Sequence, residues 1–233
     1  MGSRWTVWRH LSTLGSTPLS ALLDLQEGHG NGGGSRMIDA GRFYEMQALQ
    51  YLDARDRSSV GVEIVESWAR LLPFGTPVIE IACGGGYPIT QVLVDSGLAV
   101  WAIDTSPTLL RQFRLRFPSV PTQCASALDS NYFGRTFEAV ISVGLVPFLR
   151  EDEQLTLFHR VSEILEPRGR FLFTAPVESG TWQDVTTGLK CWSLGRVSYT
   201  RALQHIGFRM IRTHADEGEN NYYEVEKIDR TAW

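Results

Sequence analysis

The chain has 233 residues, 43% of them hydrophobic, 21% charged and 11% aromatic. That length fits one α/β domain or one domain with an appendage, and the composition excludes a disordered or fibrous chain. The net charge of −4, from 22 basic and 26 acidic residues without a Lys/Arg block, lacks the electrostatic footprint of a general nucleic-acid binder.

The first composition break is the glycine-rich run Gly28–Ser35, which reads as a flexible linker. Ahead of it, Thr17 suits a helix cap, Pro18 the first helical position and Gly28 the end, with Leu19, Leu22 and Leu23 as the apolar stripe. Residues 1–36 are therefore an N-terminal segment and 37–233 the functional domain. Two readings of the segment stand: an engineered leader with Met37 as the native start, or a native arm that packs on the domain as a lid. The segment holds Arg4, Arg9, Arg36, Asp24 and Glu27, so the remaining domain carries −5.

Helical spacing follows at 40–54, through Phe43, Met46, Leu49 and Leu52, and at 58–72, through Val62, Val65 and Trp68, ending before Pro73. Apolar runs at Val78–Ala82, Ala99–Ile103, Pro121–Ala125, Ala139–Val143 and Phe171–Ala175 then alternate with helix patterns at 87–97, 106–116 and 151–165. A further helix is expected at 198–206, and Pro176–Ser193 reads as a long irregular stretch. Nearly continuous apolar strands alternating with helices predict an α/β fold: a three-layer Rossmann-like sheet, mostly parallel, with helices on both faces. Strands at 207–214 and 221–228 are joined by too short a turn for a parallel crossover, so the last pair is antiparallel.

No run approaches the ~20 apolar residues of a membrane span, and no signal-peptide pattern opens the chain. Cys83, Cys124 and Cys191 form neither a CxxC pair nor a zinc spacing. They read as reduced thiols of a cytoplasmic protein without a metal site.

The chemistry concentrates where strand 78–82 runs into Cys83-Gly84-Gly85-Gly86-Tyr87. Small residues there allow a sharp turn and let a ligand lie on the backbone, at a helix N-terminus that presents free N–H groups. Asp104 ends the next strand, where a carboxylate can take both hydroxyls of a ribose. Ser106 suits the cap of the following helix, with Pro107 at its first position. A dinucleotide site wants GxGxxG, but the third position is Ile89. Glu80, just before the glycines, repels pyrophosphate and attracts a cation. The site thus suits a nucleoside with a positive charge and no phosphates, which describes S-adenosylmethionine.

Glu80-x-Ala82-x-Gly84-x-Gly86 resembles motif I of the class I S-adenosylmethionine-dependent methyltransferases. Asp104, Phe137-Glu138-Ala139-Val140 and Leu165-Glu166-Pro167-Arg168-Gly169 resemble the family's later motifs, and the closing antiparallel pair its reversed last strand, a seven-stranded sheet in all. The resemblance implies S-adenosylmethionine as cofactor and S-adenosylhomocysteine as product. It places Glu80, Ala82, Cys83, Gly84 and Gly86 at the methionine part and ribose, and Asp104 at the ribose hydroxyls. Thr105 and Ser106 fall beside the adenine, with Ser126-Ala127 at its edge, and Val143 and Gly144 flank the sulfonium. Tyr44 is a lid contact. Ala82 replaces a glycine and is tolerable if φ is negative there; Ser126 replaces an acid, and Arg168 a turn glycine.

Methyl transfer is an in-line displacement on an activated leaving group, so alignment matters most and no catalytic base is required. His159 and His205 read as solvated helix residues. Tyr87 and Trp182 are candidate walls of the acceptor pocket. The Asn/Asp-Pro-Pro-aromatic motif of nucleic-acid amino-methyltransferases is absent from Ser142–Phe148. The expected reaction is methyl transfer to a small molecule, with no nucleic-acid or membrane partner. The alternatives are a catalytically silent S-adenosylmethionine-binding protein and a nicotinamide oxidoreductase.

Overall fold

The computed structural model describes residues 40–184 and 187–229. The expected helix at 17–27 and the linker at 28–35 lie outside the described residues.

Helices α1 (Ala40–Met46), α2 (Ala48–Asp56) and α3 (Val62–Ala69) precede the sheet. The helix expected at 40–54 is thus interrupted at Gln47. Strands β1 (Pro77–Ile81), β2 (Ala99–Asp104), β3 (Thr122–Cys124) and β4 (Phe137–Ser142) follow, with α4 (Ile89–Asp95) and α5 (Pro107–Arg116) between the first three. Helix α6 (Glu151–Ile164) leads to β5 (Leu165–Thr174), then come β6 (Gly180–Gln183), β7 (Lys190–Ser193), α7 (Gly195–Ile206), β8 (Phe208–Ala215) and β9 (Asn221–Lys227).

Seven strands form one sheet in the order β3-β2-β1-β4-β5-β9-β8. Strands β1 to β5 pair in parallel, while β9 runs antiparallel to both β5 and β8, as the short closing turn requires. The chain winds outward in both directions from the β1/β4 pair, so a crevice opens at the carboxyl ends of these strands.

Both sheet faces are covered. On one side Val65, Trp68, Leu93, Ile141 and Leu172 form a core; on the other Phe137, Leu157, Phe158, Phe171, Phe173 and Tyr199 do so. Phe173 and Tyr223, directly opposite on β5 and β9, stack with ring centroids 5.1 Å apart. The apolar face of α6 runs through Leu157, Phe158 and Val161. Leu155, on the same helix, is exposed. Arg168 has φ 65° in the turn where the resemblance expects glycine, a strained conformation for an L residue.

The stretch 176–193 is not irregular throughout. β6 and β7 form an antiparallel hairpin outside the main sheet, with Trp182 opposite Cys191. Buried Gln154 anchors it by donating to the carbonyls of Leu149 (2.8 Å) and Trp192 (3.1 Å) while accepting from the Tyr199 hydroxyl at 2.9 Å. The hairpin's order comes from these tertiary bonds, because its own strands are too short to be stable alone.

Candidate functional site

Strand β1 carries the site because its neighbours fix it rigidly: Val78, Ile79 and Ile81 are fully buried between the two layers. The chain leaves β1 through Ala82, whose φ is +62°. This corrects the expectation of a negative φ. The position keeps the left-handed turn that glycine normally serves, at a cost of about 1–2 kcal/mol for the methyl group.

The three glycines also serve packing. A Cβ on Gly84 would lie 3.0 Å from the Tyr51 ring, one on Gly85 2.1 Å from Leu52 Cδ2, and one on Gly86 2.5 Å from the Phe117 ring. Helices α2 and α5 therefore sit directly on the loop backbone. Cys83 points away from the crevice, into a cluster with Ala102, Leu110, Phe113 and Phe117. Burial pushes its thiol well above the ordinary range, so it is inert.

Asp104 ends β2 at the crevice floor. One carboxylate oxygen accepts the Gly84 N–H and the other the Ser106 N–H, each at 2.8 Å. Burial raises its pKa, and the N–H bonds from Ser106, Gly84 and Thr105 oppose that rise. The carboxylate is thus fixed in direction while keeping lone pairs that can accept further hydrogen bonds in the crevice. Ser106 caps α5 by accepting the Leu109 N–H at 3.1 Å.

Glu80 lies beneath the loop and accepts the Thr90 hydroxyl at 2.5 Å. Burial pushes its carboxyl up to about 8, against the pull of Thr90 and of the Arg55 charge. Below that pH the group keeps its proton, which differs from the permanently ionised acid expected from the sequence. A cation brought alongside would favour its ionised form.

Helices α1 and α2 roof the crevice. Tyr44 makes edge contacts with Tyr51 (centroids 5.2 Å) and Phe148 (5.7 Å). Burial first, then the neighbouring Tyr51, Asp184, Cys191 and Asp104, hold the Tyr44 phenol well above its ordinary pKa. Glu45 accepts hydrogen bonds from the Ser106 and Thr108 hydroxyls, which tie α1 to the start of α5.

The resulting cleft is lined by Tyr44, Ala82, Gly84, Asp104, Thr105, Val143 and Gly144, all expected from the sequence. It is also lined by Ala40, Gly41, Tyr51, Leu109, Leu145 and Phe148, which the sequence reading missed. Tyr51 alone carried a usable signal, being one helical step from Leu52 on a segment already predicted to cover the loop. Glu80 and Gly86 support the cleft from behind its lining.

The structure does not bring the remaining candidates into that lining. The Ser126 hydroxyl accepts the Leu128 N–H at 3.1 Å, and Ala127 packs in the core. Tyr87 is 42% exposed. Trp182 sits on the β6–β7 hairpin. His159 and His205 are on exposed helix faces, as expected.

Among the described residues, Asp104 is the one charged group in the cleft lining, and no Lys or Arg lines it. That set of walls, with aromatic rings above and a carboxylate below, fits a phosphate-free, positively charged nucleoside and opposes a pyrophosphate.

A family model described as a methyltransferase domain matches residues 78–169. A tRNA U34 carboxymethyltransferase of Idiomarina loihiensis is 23% identical over 189 residues, covering 71% of this chain and 56% of that protein. The chain thus spans little more than half the length of that curated relative. Among solved structures, magnesium protoporphyrin IX methyltransferase of Synechocystis PCC 6803, crystallised with S-adenosylmethionine, shares 13% identity with a TM-score of 0.59, over 89% of this chain and 91% of that one. The 1,6-didemethyltoxoflavin-N1-methyltransferase of Burkholderia thailandensis, solved with its substrate and S-adenosylhomocysteine, shares 15% identity with a TM-score of 0.65, over 84% and 94%. The glycine turn and Asp104 fall within the stretch that matches the methyltransferase-domain model, and the seven-stranded sheet with its antiparallel end shares the fold of these solved methyltransferases.

Proposed function

We propose that the protein transfers the methyl group of S-adenosylmethionine to a small-molecule acceptor. The observation that carries this reading is the Asp104 carboxylate, aimed by two backbone N–H groups into a cleft whose described lining holds no basic residue. When bound, the sulfonium cofactor supplies an activated methyl group.

The chain's own residues then do three things. Asp104 and Thr105 hold the ribose end, and Glu80, from beneath, favours the cofactor's positive charge. Tyr44, Tyr51 and Phe148 exclude water and restrict the cofactor's orientation. Val143 and Gly144, just past the end of β4, line the cleft where the methyl group is expected to meet its acceptor. Catalysis on this reading is alignment and proximity rather than proton transfer by a dedicated base. The acidic domain supports a small-molecule acceptor over a nucleic acid. No described helix is long and apolar enough to cross a membrane.

Calorimetry tests the cofactor assignment directly. S-adenosylhomocysteine is expected to bind with a micromolar or tighter Kd, and NAD not at all. Binding of NAD in preference would overturn the reading. A screen of small acceptors with an isotopically labelled methyl donor then tests turnover.

A further inference from the structure

The β6–β7 hairpin carries a polar group that the fold does not use. Trp182 is half-buried, and its indole Nε1 is shielded from water with no hydrogen-bond partner among the described residues. A buried N–H left without a partner is costly, so such a group points to something that binds it. Trp182 lies directly opposite Cys191, which is fully buried. The alternation of side chains along a strand puts Asp184 on the same face as Trp182. The Asp184 N–H continues the ladder to the Leu189 carbonyl at 2.8 Å, and its carboxylate is steadied by the Thr187 N–H and hydroxyl at 2.8 and 2.9 Å.

This is the buried face of the hairpin, which packs on the body of the domain next to the cleft. Strand β7 adjoins the turn that carries Phe148, and Phe148 lines the cleft beside Tyr44 at a ring-centroid distance of 5.7 Å. Strand β7 packs on the turn Val146–Phe148, and Gln154 bonds that turn's exit to the hairpin. The wall is therefore built in advance rather than assembled on binding.

We propose that the inward face of this hairpin is the acceptor site. Its Trp182 N–H donates to, and its Asp184 carboxylate accepts from, a flat ring molecule that bears a carbonyl-type oxygen and an N–H or O–H. The proposal rests on the methyl-transfer reading above. Tyr44 and Phe148, in edge contact at the cleft, offer ring surfaces that favour a planar partner. The Asp184 charge disfavours anions and favours an acceptor with a proton to give. The balance is simple: a lone pair on the acceptor's nitrogen or oxygen forms the bond to the methyl carbon, the C–S pair returns to sulfur, and the acceptor's proton leaves to solvent.

The test uses the full chain, ¹⁵N-labelled and saturated with S-adenosylhomocysteine, titrated with 4-hydroxybenzamide or its ring-saturated analogue 4-hydroxycyclohexanecarboxamide. The Trp182 indole resonance is assigned from W182F. The flat probe is expected to move that resonance, with a Kd at least fivefold lower than the saturated probe's, and W182F and D184N should each weaken it about five- to tenfold. S-adenosylhomocysteine affinity should stay within twofold in both variants, which confirms that they fold. An indole resonance unmoved at about 5 mM flat probe, or undiminished flat-probe affinity in both variants, overturns the proposal. Failure of the wild-type chain to bind S-adenosylhomocysteine instead rejects the underlying methyl-transfer reading, so the two failures are distinguishable.

Discussion

Glu45 and Thr108 are joined twice: the carboxylate accepts the Thr108 hydroxyl at 2.7 Å and the Thr108 backbone N–H at 3.1 Å. Through this pair the roof helix α1 is latched to the first turn of α5, immediately after the Asp104 strand end. Hydrogen bonds from Ser106, then Thr108, hold the Glu45 carboxyl below its ordinary pKa. The latch is thus fully made above the ordinary carboxylate range and released as pH falls through the lowered value. Glu45→Gln should speed hydrogen exchange over 40–46 and weaken S-adenosylhomocysteine binding about five- to tenfold, the scale of a lost cap. Exchange rates unchanged in that variant would show that α1 is held by its aromatic contacts alone.

Asp104→Ala removes the group that bonds both the glycine loop and the start of α5. It should weaken S-adenosylhomocysteine binding by roughly 1.5–3 kcal/mol, the worth of charge-assisted hydrogen bonds. Calorimetry reads this directly, and equal affinity in the variant would remove Asp104 from the ribose site.

Glu80 predicts two pH dependences of opposite sense. Its carboxyl is raised from 4.5 to about 8 in the folded chain. Between those values the folded state keeps a proton that the unfolded state has lost, so stability declines as pH rises through the window and levels off above it. Cofactor binding runs the other way, since a cation favours the ionised acid. Affinity for S-adenosylmethionine should rise with pH below 8, by at most about tenfold per unit, with proton release on binding. Calorimetry in two buffers of different ionisation heat measures that release. Glu80→Gln should abolish it and flatten the stability profile.

Ala82 holds a left-handed conformation at φ 62°. Ala82→Gly relieves about 1–2 kcal/mol of strain but adds about 0.5–1 kcal/mol of unfolded-state freedom. The net expectation is a stabilisation of up to about 1.5 kcal/mol, visible as a raised midpoint in urea at unchanged slope. A destabilised variant would show that the methyl group is a packing contact.

The strand-glycine-helix turn and Asp104 were legible because their signals are local. A continuous apolar run, a cluster of small residues and an acid at the next strand end all lie within one short stretch. The break at Gln47 was not, since the apolar spacing of 40–54 continues through it. Nor was the β6–β7 hairpin, whose strands pair only because Gln154 and Tyr199 hold their neighbour in place.

Local pattern fixed the order of strands and helices, the reversed last pair and the acid that lies in the cleft at the end of β2. Backbone periodicity and turn chemistry act over a few residues, so they are written in consecutive positions. Tertiary structure alone decided that Tyr51, Leu52 and Phe117 fill the space over the three glycines, that Glu45 reaches Ser106 across 61 positions, and that burial keeps a proton on Glu80. Such contacts and the low polarity around them arise where distant segments meet, and neighbours in the chain carry no record of that meeting.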